Sequence, residues 1–250
     1  MERSYRQHFR QEDLIHFQVI VEQTDLDIGI RRERFSPALA EWVKQTVAQY
    51  RNQLEEYIAR DPVFLHSLAP HNVLPGAPSI AIDMAEAARK AGVGPMAAVA
   101  GAFAEHIGRA LAKRSKDVIV ENGGDIYLRT TRQRYIGIFA GNSPLSNRIA
   151  LKIQPHHTPL GICTSSGTVG HSLSFGKADA VVILSPSAIL ADAAATAAGN
   201  VVQTSDDLQK AVEFAAQIDN VAGALAIKDD KIALWGNIKL APLPDEPLQP

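Results

Sequence analysis

The 250-residue chain predicts an α+β fold of mixed, mostly antiparallel sheets with packed helices, and three observations carry that expectation. Short β-like segments come in pairs joined by turn residues, which is the signature of hairpins. Between the pairs lie long stretches with apolar residues at helical spacing. Strand and helix signals do not alternate in the regular strand–helix–strand rhythm that a parallel sheet requires.

The elements follow in order. His16–Glu22 and Leu26–Ile30 read as an N-terminal hairpin. Ser36-Pro37 opens a long helix, with Ser36 at the N-cap and Pro37 at the first helical position. Its apolar face carries Leu39, Trp42, Val43, Val47, Tyr50, Leu54 and Tyr57. Residues 68–80 hold Pro70, Pro75, Gly76 and Pro78, too many breakers for a regular element, and read as a loop or a junction between two lobes. Pro95 starts a helix reaching Leu111, whose small side chains permit close packing. Val118–Glu121 and Ile126–Arg129 flank Asn122-Gly-Gly-Asp125, a tight hairpin. Strands follow at 135–140 and 149–153. Ala180–Leu184 reads as a fully apolar strand, and Ser185-Pro186 as the cap of an alanine-rich helix. Residues 206–218 make another helix, and 223–235 a hairpin around Asp229-Asp230. The Pro-rich stretch 241–250 reads as a frayed tail after a single domain over 1–240.

Composition narrows the functions open to the chain. A hydrophobic content of 46% supports a full core, while a net charge of −2 gives no basic footprint for nucleic acid or an anionic membrane. Cys163 is the sole cysteine, so no internal disulfide framework exists. The start, Met-Glu-Arg-Ser-Tyr-Arg, is charged where a signal peptide needs an apolar core, so no signal peptide is expected, and no apolar run has the length of a membrane span. The expectation is a cytoplasmic protein.

Two segments carry chemistry. Gly161-Ile-Cys-Thr-Ser-Ser-Gly167 reads as a tight loop whose backbone N–H groups could face an anion. Asp192 and Thr196 stand four apart on one helix face and supply the oxygen ligands that Mg²⁺ or Ca²⁺ prefers. Their alternative reading is an exposed Asp and a Thr bonding back to a carbonyl. Gly92-Val-Gly-Pro-Met-Ala97 fits the pattern of a dinucleotide fingerprint, yet it follows a helical segment instead of a strand, and reads as a helix stop followed by a helix start. Gly170–Ala178 has five residues between its glycines and lacks the terminal hydroxyl of a Walker A loop. Cys163, with His156, His157 and His171 nearby in sequence, leaves open a thiol nucleophile as well as a buried small hydrophobe.

Taken as an ordered set, Val120-Glu-Asn-Gly-Gly-Asp-Ile126, Ile162-Cys-Thr-Ser-Ser-Gly167 and Ala180–Thr196 resemble the ApbE family. These flavin transferases use FAD and a divalent metal, usually magnesium, to attach FMN through a phosphoester to a Ser or Thr of a target protein. The resemblance implies a two-lobed fold, a metal site at Asp192 and Thr196, and a flavin nucleotide pocket lined by Gly123, Gly124, Asp125, Thr164, Ser165 and Gly167. It also implies a protein acceptor. The departures matter equally. Ala100-Gly101 stands where the family has Lys-Gly, with Glu105 at its acidic position, and the His-Ile-Ile-Asp-Pro segment is replaced by His171–Lys177. His171 and Glu105 are therefore the candidate catalytic residues. A catalytically silent protein that binds a nucleotide or small anion, assisting sulfur metabolism by family association, is the alternative.

Overall fold

A computed structural model describes residues 11–168 and 174–243. Leu14–Val21 (β1) and Thr24–Arg31 (β2) form the expected N-terminal hairpin. Pro37–Arg60 (α1) follows, with the Ser36 side chain accepting from the Leu39 amide. A short helix, Pro62–His66 (α2), and a loop precede Ser79–Ala91 (α3). Gly92 ends α3 at φ +75°, and a 3₁₀ turn at Pro95–Ala98 leads into Val99–Ala112 (α4), so the glycine pair there is a helix stop and start as read from sequence.

The strands Val118–Asn122 (β3), Asp125–Arg129 (β4), Arg134–Gly137 (β5), Ile149–Ile153 (β6), Leu160–Ser165 (β7) and Ala180–Ser185 (β8) come next. Ala188–Val201 (α5) and Leu208–Ala216 (α6) are followed by Gly223–Lys228 (β9), Lys231–Gly236 (β10) and Leu240–Pro242 (β11). The strands build an eight-stranded sheet in the order β1-β2-β3-β4-β7-β8-β9-β10 and a three-stranded sheet in the order β11-β6-β5. Among the described residues every strand pairing is antiparallel.

Side-chain alternation sorts the core onto the two faces of the large sheet. Ile28, Val120, Cys163, Val181 and Ile183 face the helices, whereas Ile119, Leu128, Ile162, Val182 and Leu184 pack against Ile136, Leu151 and Ile153 of the small sheet. This explains why β8 is buried at every position and apolar from Ala180 to Leu184: both of its faces are covered.

Three expectations need correction. The stretch 161–165 is not a loop but most of β7, a central strand between β4 and β8. The cap of α5 is Ser187, whose hydroxyl accepts from the Leu190 amide, and Ser185 instead ends β8. The proline-rich stretch is ordered at its start, because Leu240–Pro242 pairs with β6, and residues 244–250 lie outside the described residues.

Candidate functional site

The site is assembled where the β3–β4 hairpin, the end of β7 and the facing helices α4 and α5 meet. Asn122 and Asp125 pair across a two-glycine turn in which Gly123 and Gly124 take φ +69° and +109°, a backbone only glycine adopts freely. Gly124 N–H donates to Glu121 Oε1 at 2.7 Å, which fixes the turn. Asn122 Nδ2 donates to the Ala100 carbonyl at 3.2 Å and ties the hairpin to the first turn of α4. Asp125 is thereby held at the start of β4, only 7% exposed, with its Oδ1 accepting from the Thr164 amide at 3.2 Å.

Helix α5 supplies the second carboxylate. It is rich in alanine and buried along most of its length, so it approaches its neighbours closely. A Cβ on Gly101 would collide with the Ala188 carbonyl, and a Cβ on Gly161 would collide with the Ala188 backbone. This contact brings the first turn of α4 onto Asp192, whose Oδ2 accepts from the Gly101 amide at 2.8 Å. Thr196 lies one turn further along the same face of α5, and Gly199 beyond it lies against Ser165 of β7.

The electrostatics of the pair are set by burial. Burial pushes the Asp192 carboxyl up to about 7, although the Gly101 and Ala100 amides pull the other way. Asp125 is raised well above the ordinary carboxylate range, first by burial and then by the charge of Asp192. Two carboxylates that share one water-poor site cannot both ionise cheaply, and a hard cation relieves both costs together. Cys163 lies between the strands and α5, its thiol donating to the Ala188 carbonyl at 3.3 Å. Burial, then the neighbouring Asp125 and Asp192 charges, push that thiol well up, the opposite of what a nucleophile needs.

The structure therefore brings Asp125, Thr164, Ser165, Asp192 and Thr196 to one region. It places the other candidates differently. The Gly167 amide donates to the Ala178 carbonyl at 2.9 Å, and a Cβ there would collide with the Gly176 carbonyl, so this glycine serves chain packing. Thr164 and Ser165 stay in the site region as strand residues, paired with Val182 and Val181 of β8. Glu105 is 1% exposed at the N-terminus of α5, where its Oε2 accepts from the Ser187 hydroxyl at 2.8 Å and the Ile189 amide at 3.1 Å. Its Oε1 is paired with Arg109. His171 lies outside the described residues. Among the described residues, no three His, Cys, Asp or Glu side chains group as a metal site, so a cation here would draw on Thr196, water or ligand oxygens as well.

Sequence reasoning found both aspartates but not their meeting, nor the roles of Gly101 and Asn122. Those roles depend on the contact between α4 and α5, which leaves no local pattern beyond a run of small residues.

An eight-stranded antiparallel sheet, covered on one face by helices and on the other by a small sheet, makes this an α+β protein whose fold is that of solved ApbE structures. The fold matches solved structures over most of its length. With the apo flavinyl transferase ApbE of Pseudomonas stutzeri the TM-score is 0.56 at 14% identity, covering 89% of this chain and 93% of the other. With the ApbE protein of Thermotoga maritima it is 0.55 at 13% identity, covering 88% and 96%. The AbpE bacteria family model matches residues 6–232, and the chain belongs to that family. Similar relatives include the UPF0280 proteins of Methanocella arvoryzae, 44% identical over 77% of this chain and 79% of its own length, and of Methanococcus aeolicus, 38% identical over 90% and 91%. Among the described residues no helix is long and apolar enough to cross a membrane.

Proposed function

We propose that this protein binds a flavin nucleotide through a divalent cation held by Asp192, Thr196 and Asp125, and that the chemistry its scaffold serves is transfer of FMN from FAD to a protein hydroxyl. The observation that carries this reading is the buried Asp125–Asp192 pair, with both carboxyls pushed above the ordinary range. The donor set is hard oxygen, which suits Mg²⁺, an ion that keeps several water or phosphate ligands of its own. A bound cation would supply charge neutralisation on the pyrophosphate. The amides at the start of α4 orient Asp192, the Thr164 amide orients Asp125, and Ser165 and Thr196 border the same region.

In the transfer itself, a Ser or Thr oxygen of the acceptor attacks the FMN phosphorus, the pyrophosphate P–O bond breaks and AMP leaves with the electron pair. The hydroxyl proton needs a base. Glu105 is committed to the N-terminus of α5 and to Arg109, which makes it a positioning residue. That commitment favours a second reading, in which the chain binds a nucleotide or small anion as an accessory protein without efficient transfer.

The test is to mix the protein with FAD, Mg²⁺ and a Ser/Thr acceptor peptide and to follow both FAD binding and the peptide mass. We expect measurable Mg²⁺-dependent FAD binding, with covalent FMN transfer far slower than for ApbE enzymes that carry the complete family motifs. Efficient labelling would reject the second reading. Absence of binding to FAD, FMN and ADP at every Mg²⁺ concentration would reject the flavin reading.

A further inference from the structure

The far end of α4 holds a second concavity. Helix α4 runs for 14 residues, so its C-terminus lies roughly 20 Å from the Asp192 contact at its start. There the chain leaves the helix through Lys113 and Arg114 and meets Arg34, Phe35 and Ser36 at the start of α1. These residues and Trp42 line a depression of about 720 Å³, a size that admits a drug-sized molecule.

The lining has one dominant charge. Arg34, Lys113 and Arg114 contribute three cations, while Glu33 is the acid among the described lining residues and leans toward Arg31, 3.9 Å away. The Arg114 guanidinium lies over the Trp42 ring at 4.2 Å from its centroid. The 24-residue helix α1 begins at the pocket with no acidic side chain in its first turn, so its positive end adds to the three cations.

We infer that this pocket is a second ligand site for a small planar molecule bearing a phosphate or comparable multiply charged anionic group, of which a nucleoside diphosphate is the representative. Arg34 and Lys113 meet the anion, and the ring stacks on the shelf formed by Arg114 and Trp42. Two observations favour a small molecule over a nucleic acid strand. The cations line one open depression of limited extent, and the chain as a whole carries a net charge of −2, which repels an extended polyanion. The site is independent of the carboxylate pair, which needs a cation, whereas this one supplies its own positive charge.

The test uses ADP in EDTA, so that a metal-dependent site is silent, and reads Trp42 fluorescence in a Trp235→Phe background. Saturable change in Trp42 emission is expected, weakening with added salt and with the apparent Kd rising roughly tenfold or more in Arg34→Ala/Lys113→Ala. Both residues are exposed, so circular dichroism should match that of the parent. No saturable response to millimolar ADP, or binding unchanged in the double variant, would overturn the proposal. So would tighter binding of an oligothymidylate than of ADP, which would make the patch a nucleic acid surface.

Discussion

Asp192 is pulled in two directions: the amides of α4 favour its charge, and burial, which opposes it, prevails. The consequence can be measured on the metal-free protein. Because the folded-state carboxyls of Asp125 and Asp192 sit above their unfolded value, the native protein keeps protons that the unfolded chain has already released between about pH 4 and about 7. Its stability should therefore fall as pH rises across that window. Asp192→Asn removes one titrating group and should flatten the slope, raising the metal-free Tm at pH 8 relative to wild type. An equal pH slope for variant and parent in thermal melts would contradict this assignment. At this scale the sequence was informative about identity and silent about proximity. The i,i+4 spacing of Asp192 and Thr196 was legible because a helix imposes it locally. The meeting of Asp125 with Asp192 was not, since it joins a hairpin turn to a helix more than 60 residues on. Cys163 remained ambiguous in sequence for the same reason, as burial and thiol pKa are products of packing.

At the scale of elements, the site depends on how α5 is seated. Glu105 caps it from α4, and Glu105→Ala would leave the Ser187 hydroxyl and Ile189 amide without that acceptor in a buried place. Loss of this charge-assisted pair of bonds should cost about 2–4 kcal/mol of stability, read from urea denaturation. A loss within experimental error would remove the capping role. Gly101 tests the close approach of α4 to α5: Gly101→Ala should push the helices apart and weaken cation binding while leaving circular dichroism nearly unchanged. Unchanged Mg²⁺ affinity would show that the amide contact is dispensable. Gly167→Val, by contrast, is a folding test, because its Cβ would strike the Gly176 carbonyl. The misreading of β7 has a clear origin. Gly161, Cys163, Thr164, Ser165 and Ser166 have the small polar composition of a loop, and Gly161 is in a strand because α5 leaves no room for a side chain. Elements with strong local signals, such as α1 with its Ser36-Pro37 start and the β9–β10 hairpin, were legible directly.

Across the whole molecule, hairpin-rich patterning sufficed to predict an antiparallel α+β fold, but strand order did not follow from it. The insertion of β5 and β6 into a second sheet, which places β7 beside β4, is a non-local choice that buries the second face of the large sheet. Charge acts at this scale too. Asp117 is pushed up by burial, yet bonds from the Thr131 amide, Arg31 and Thr130 outweigh it and bring it down to about 2. That contribution is present above the unfolded value near 4 and is lost as pH falls toward 2. Together with the opposite slope from the raised pair, it predicts a metal-free stability maximum near pH 4–5, with Mg²⁺ restoring stability on the alkaline side. Melts across pH with EDTA or Mg²⁺ check this, and a metal-free maximum above pH 7 would oppose it.

The most direct measurement is calorimetric titration of FAD into the wild-type protein and Asp192→Ala, each in Mg²⁺ and in EDTA. Wild type should bind in Mg²⁺ and little or not at all in EDTA, and a folded Asp192→Ala should lose the Mg²⁺-dependent component. Identical isotherms for the two proteins in Mg²⁺, or FAD binding indifferent to the cation, would contradict the claim that the buried carboxylate pair holds a nucleotide through a metal.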